Sequence, residues 1–156
     1  MSNQLILSEQ FELLKDDLIA LYDAKGMRSS GKWADSLEVI AGEDTVKLIG
    51  EEYSQQLETG RQPGKFPPIA DIKKWIIDKG VFATALQTIS LSSLAFLIAR
   101  KIAKNGWKRE RFGGIELISS IVTDERIQKI IDEVGNAQII RVSTEIIKLI
   151  NELETV

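Results

Sequence analysis

Apolar residues recur along this chain at helical spacing in four places and at strand spacing in one. Phe11, Leu14, Leu18 and Tyr22 fall three and four residues apart, which puts them on one face of a helix. Ser8 offers an N-cap and Gly26 a C-terminal stop, so the pattern predicts an amphipathic helix over 8–26. The polar run MRSSGK at 27–32 predicts a loop. Two short β-prone runs, 36–40 and 45–49, flank Ala41-Gly42-Glu43-Asp44 and predict a hairpin with a glycine-containing turn.

Residues 51–58 (EEYSQQLE) have helical composition but are few. They run into TGRQPGKFPP at 59–68, where two glycines and three prolines deny regular structure and predict an ordered loop or arm. Pro68 suits the start of the next helix, whose Ile69, Ile72, Trp75 and Ile76 make one stripe before Gly80. A further helix is expected over 92–105, with Leu94, Leu97, Ile98, Lys101 and Ile102 in register and Gly106 at its end. These two helices are expected to form much of the core. The run WKRERFGG at 107–114 reads as a loop, and 115–122 as a short apolar segment.

Thr123 or Asp124 caps a helix expected to run to Val134 and to close at Gly135-Asn136. Over 138–153, Ile139, Val142, Ile146, Ile150 and Leu153 share one face, which predicts a helix; the β-branched start leaves an added strand as the alternative. The fold class that follows is α+β: a helix-dominant single domain over 1–156, with a small antiparallel sheet (hairpin about 36–49) packed by about five helices.

Composition narrows the chemistry. The 156 residues hold no cysteine and no histidine, so disulfides, thiolate metal sites and the usual imidazole proton shuttle are excluded. No apolar stretch approaches the ~20 residues of a membrane span, and the first ten residues lack a basic start or a small-residue cleavage site. Synthesis in a cytoplasm without membrane association is expected.

Charge is segregated along the chain. Five basic against twelve acidic residues give −7 over 1–60, eleven against three give +8 over 61–111, and four against eight give −4 over 112–156. Either the blocks compensate one another within one molecule, or copies dock basic face to acidic face, since complementary potentials fix register. A third reading takes the basic 61–111 segment as a nucleic-acid contact; the acidic flanks and a pI near 5.2 oppose it.

Candidate motifs point away from catalysis. Lys65 in GRQPGK is followed by Phe66 and two prolines, whereas a phosphate loop needs Ser or Thr there and a helix directly after. The pairs Asp16-Asp17, Glu43-Asp44 and Glu51-Glu52 read as solvated faces and turns, although carboxylate pairs can bind a hard cation. Ser29-Ser30 and Ser92-Ser93 have no histidine to activate them. No catalytic, cofactor or metal residues are assigned, and the chain is expected not to be an enzyme. Trp75, on a helical stripe, is expected in the core. Trp33 and Trp107, in glycine-adjacent loops, are either edge packing or interface anchors; Trp107 and Phe112 around Lys108, Arg109 and Arg111 could alternatively stack on bases. The candidate assembly interface comprises Arg61, Lys65, Phe66, Pro67 and Pro68 from one loop and Trp107, Lys108, Arg109, Arg111 and Phe112 from the other.

Three blocks in order, YSQQLETGRQPGKFPP at 53–68, IKKWIIDKGV at 72–81 and SLAFLIARKIAKNG at 93–106, resemble the minor tail and tail-completion (neck) proteins of tailed bacteriophages. In that family a Gly-Arg turn with Pro-Gly and paired prolines precedes a Trp-containing helix ending in Lys-Gly, and a later helix carries Ala-Arg-Lys-Ile. Trp107 departs from the small polar residue common there, and 115–156 has no counterpart. The resemblance implies a structural virion protein of the head–tail connection: a ring homo-oligomer meeting portal, adaptor or other neck proteins and the tail tube, with DNA only as cargo in its channel. The alternative is a nucleic-acid-binding accessory protein using the basic segment.

Overall fold

The computed structural model describes residues 2–43, 45–81, 88–107 and 114–154. Its first helix, α1 (Asn3–Ala24), starts earlier than expected because Ser2, not Ser8, is the cap: the Ser2 hydroxyl accepts from the Leu5 amide at 3.2 Å. The extra turns add Ile6 to the buried face of Leu14, Leu18 and Tyr22. After the turn at Gly26, residues read as loop form a short helix, α2 (Lys32–Ser36). Trp33 on α2 is only 3% exposed. Its ring lies 4.3 Å from that of Tyr22, and its indole N–H donates to the Ser54 hydroxyl at 2.9 Å. The edge-packing reading of Trp33 therefore prevails over the interface one.

The hairpin forms as β1 (Glu38–Ala41) and β2 (Val46–Ile49), antiparallel, with Val39 opposite Leu48 and Ala41 opposite Val46. Two strands alone are marginal in water; this pair packs on α1. Next come α3 (Ser54–Thr59), α4 (Ile69–Lys79), α5 (Leu91–Asn105) and α6 (Leu117–Ile121). Pro68 stands at the N-cap of α4, and Gly80, left-handed at φ 73°, ends it. The Ser90 hydroxyl caps α5 by accepting from the Ser93 amide.

The main core cluster is not between α4 and α5, as expected, but around α1, α2, α3 and α6: Leu18, Tyr22, Trp33, Leu57, Ile115 and Leu117 meet there. Glu58 ties α3 to α6, its carboxylate accepting from the amides of Ile118 (2.6 Å) and Ser119 (3.1 Å) at the α6 N-terminus. Helices α4 and α5 pair with each other, and in that pair Ile76, Ala95 and Ala99 are fully buried.

The last helix, α7 (Asp124–Glu154), is continuous over 31 residues. The expected stop at Gly135-Asn136 does not occur. Gly135 does not adopt the positive φ found at six other glycines, and a mid-helix glycine costs only about 1 kcal/mol. The C-terminal segment is thus helix, not an added strand. Arg126 anchors α7 to Asp17 of α1 at 2.9 Å, and Ile130 is buried. Among the described residues there are seven helices and one two-stranded sheet, a helix-dominant α+β domain. None of these helices is long and apolar enough to cross a membrane.

Candidate functional site

The proline-rich loop singled out in the sequence meets Trp107, the first residue of the second one. Arg61 and Trp107 form an isolated antiparallel bridge, the Arg61 amide donating to the Trp107 carbonyl (2.8 Å) and the Trp107 amide to the Arg61 carbonyl (2.7 Å). The Gly64 amide donates to the Ala103 carbonyl at 2.8 Å. The proline-rich loop is thus fastened along the C-terminal end of α5. Gly106 makes the approach feasible: at φ +71°, a Cβ there would stand 2.2 Å from the Arg61 carbonyl oxygen.

Under this junction lies a cleft of about 660 Å³. Its apolar surface comes from Tyr53 and Leu57 near α3, Ile72 and Trp75 on α4, Ile98 and Ile102 on α5. Pro67, Trp107, Gly26 and Met27 also line it. Trp75, expected in the core, is 41% exposed and faces this cleft. Its neighbour Ile76 occupies the helix face toward α5 instead, since one position along a helix rotates a side chain by about 100°.

Three cations, Arg61, Lys79 and Lys101, line the cleft, and no carboxylate among the described residues does. The Lys79 ammonium donates to the carbonyls of Gly26 and Arg28 (the latter 3.1 Å), which places a positive charge at the C-terminal end of α1. The Arg61 guanidinium donates to the Lys65 carbonyl at 3.1 Å. Both cations thus bond neutral oxygens, and neither forms an ion pair with a carboxylate among the described residues. Burial holds the Tyr53 hydroxyl above its usual range.

Outside the cleft, Lys65 is exposed. Phe66, 51% exposed, stacks on Phe96 with ring centroids 5.9 Å apart. Pro67 is buried and Pro68 is exposed. Lys108, Arg109, Arg111 and Phe112 lie outside the described residues. The residues missed in the sequence are Tyr53, Ile72, Trp75, Lys79, Ile98 and Lys101. The available signal was Trp75 directly after Lys73 and Lys74, a placement at the edge of an apolar stripe.

None of the following ion pairs among the described residues joins the basic middle block to an acidic one. Lys15–Glu12, Arg28–Asp23 and Lys32–Glu51 lie within the first block, Lys74–Asp78 within the second, and Arg126–Asp17 joins the third to the first. Among those residues no group of three or more acidic side chains is placed to hold a metal ion. No family model matches the chain, and neither the curated proteins nor the solved structures include a match to it.

Proposed function

We propose that this chain is a non-enzymatic structural subunit of a tailed-phage particle, a ring-forming component of the neck that joins head to tail. One observation carries the reading. The three sequence blocks that resemble neck proteins, 53–68, 72–81 and 93–106, converge on a single cleft, to which they contribute Tyr53, Arg61, Trp75, Lys79, Ile98 and Lys101. A resemblance confined to core positions would reflect only a shared helical pattern. A resemblance that surrounds one accessible, basic, aromatic surface is what a shared docking task produces, because tryptophan, tyrosine and arginine dominate binding energy at interfaces. Positive charge on this surface, which no carboxylate among the described residues lines, and acidic blocks elsewhere support a reading with the two unlike faces that a heterologous, ring-closing contact requires.

The test is to purify particles from a host carrying the gene, identify the chain by mass spectrometry, and locate it by electron cryomicroscopy. Several copies per particle, in density at the head–tail junction, are expected; particles lacking the chain overturn the reading. The combination of three cations with Tyr53, Trp75 and Trp107 also favours a second reading, an accessory protein that stacks single-stranded nucleic acid. Salt-sensitive retention of a single-stranded oligonucleotide on a filter, lost in Trp75→Ala, would select it.

A further inference from the structure

The chain enters and leaves the α4–α5 pair at one place. Residue 61 leads into the proline-rich loop and α4, residue 107 follows α5, and the double backbone bond between Arg61 and Trp107 ties the two crossings together. A glycine of positive φ stands beside each crossing, Gly60 at φ 78° after α3 and Gly106 at φ 71° after α5. Glycine moves through φ and ψ at little steric cost, which suits a position that must absorb a rotation. Trp107 packs against the main core cluster, so the bridge is anchored on the rest of the molecule.

Beyond this neck the two parts are built separately. Among the described residues α4 and α5 pack mainly on each other, whereas α1 collects the hairpin, α6 and α7, and α3 packs on α6. Ile76, Ala95 and Ala99 are fully buried, and none of them belongs to the cluster of Leu18, Tyr22, Trp33, Leu57, Ile115 and Leu117. The cleft of about 660 Å³ draws its lining from both parts, Tyr53 and Leu57 from one, Trp75 and Ile98 from the other. Much of the boundary between them is thus open volume. Lys79, the last residue of α4, crosses it, its ammonium donating to the Gly26 and Arg28 carbonyls that follow α1. Both bonds are exposed, so water can replace either partner and each exchange has a small net cost.

We propose that α4 and α5 swing as one rigid body about the Arg61–Trp107 bridge, widening and narrowing the cleft, and that Lys79 is the latch that holds the narrow state. The rotation leaves each buried cluster intact and breaks exposed bonds, which is what separates a hinge from partial unfolding. Removing the latch therefore shifts the population toward the wide state without unfolding either part.

The chain has no cysteine, so nitroxide labels attach at introduced thiols alone. In the full-length protein, Gln55→Cys on α3 and Ile77→Cys on α4, both exposed, report the distance between the parts by electron paramagnetic resonance. Ile77→Cys with Leu97→Cys reports within the α4–α5 pair, and Leu13→Cys with Gln55→Cys within the remainder. Lys79→Met is expected to move the 55–77 distribution to longer distances, to leave the other two unchanged, and to keep cooperative unfolding by urea. Lys79→Arg, which keeps a cationic donor, should retain the parent distribution. A 55–77 distribution unmoved by Lys79→Met overturns the latch. A shift in the 77–97 pair would show that α4 and α5 separate, and overturns the rigid rotation. Lys79→Arg as open as Lys79→Met would assign the hold to packing of the lysine stem and not to the donated bonds. Failure of Lys79→Met to fold overturns the proposal as well, because a latch between two intact parts is dispensable for the fold of each.

Discussion

Arg61 and Trp107 hold each other by both backbone groups, at 2.8 and 2.7 Å, across 46 positions of chain, and the glycine beside Trp107 sets how close they come. Replacing Gly106 with alanine puts a Cβ 2.2 Å from the Arg61 carbonyl in a left-handed backbone. The neighbour in conflict is backbone and cannot swing away. Gly106→Ala should lose about 1–3 kcal/mol, whereas Gly80→Ala, equally left-handed but with nothing within 4 Å, should lose only the conformational cost of about 1 kcal/mol. Urea unfolding midpoints of the two variants check the order; equal losses would mean that the junction yields.

At Gly135 the sign reverses. It lies inside α7 without a positive φ, and an added Cβ meets nothing within 4 Å. Gly135→Ala should therefore stabilise by about 0.5–1 kcal/mol, from helix propensity and a less flexible unfolded chain. A lower melting temperature for this variant would show that the helix bends or breaks there.

These two glycines explain how much was legible in the sequence. Periodicity identified the hairpin, α4, α5 and the helical character of both ends of α7, because apolar spacing reports directly which face is buried. It failed where one residue type serves two geometries: Gly106 and Gly80 end helices, while Gly135 is carried through one. Trp75 was assigned to the core because it sits on the stripe, yet Ile76 takes the buried position and Trp75 the cleft. Trp33 was assigned to a loop because its glycine neighbour suggested a turn, but its bond to Ser54, 21 residues away, is tertiary and leaves no local trace. The bridge between Arg61 and Trp107 was not legible, since it depends on how α4 and α5 pair.

The core around α6 is small and depends on each member. Leu117 is 1% exposed amid Leu18, Tyr22, Trp33 and Leu57. Leu117→Ala removes its transfer energy and leaves a cavity, which should cost about 2–5 kcal/mol. Ile77→Ala on the exposed face of α4 should stay within about 0.5 kcal/mol. Chemical denaturation of both variants tests whether this buried cluster, and not exposed apolar surface, carries stability.

Alkaline pH should weaken the fold through the tyrosines. Burial raises the Tyr22 hydroxyl, and likewise that of Tyr53, above the usual 10.0. The folded state thus holds these protons more tightly than the unfolded chain. The stability they contribute is complete below the unfolded value of 10.0 and is lost as pH rises through the higher folded value. Tyr22→Phe should flatten the fall of the unfolding midpoint above that pH; an unchanged slope would mean that the Tyr22 hydroxyl reaches water.

The final expectation separates folding from assembly at the proline-rich loop. Lys65 is exposed, and among the described residues the Arg61 side chain bonds a carbonyl of its own loop, whereas the contact that fastens the loop to α5 runs through the Arg61 backbone. A serine at each position keeps that backbone bridge. The double substitution Arg61→Ser/Lys65→Ser should therefore leave the unfolding midpoint within about 0.5 kcal/mol of the parent. Removing Arg61 from a cleft that no carboxylate among the described residues lines, and Lys65 from the loop beside it, should nonetheless weaken docking of an acidic partner surface and reduce incorporation into particles. Salt should act in the same direction on the parent protein, because exposed charges are screened beyond about 8 Å at physiological ionic strength. Sedimentation across a salt series should thus show the parent dissociating as salt rises and the double variant already dissociated at low salt. An oligomer indifferent to both salt and substitution would mean that the segregated charge is neutralised inside each subunit and that the loop is no contact. A variant that unfolds outright would mean that the two side chains hold the loop as well as offering it.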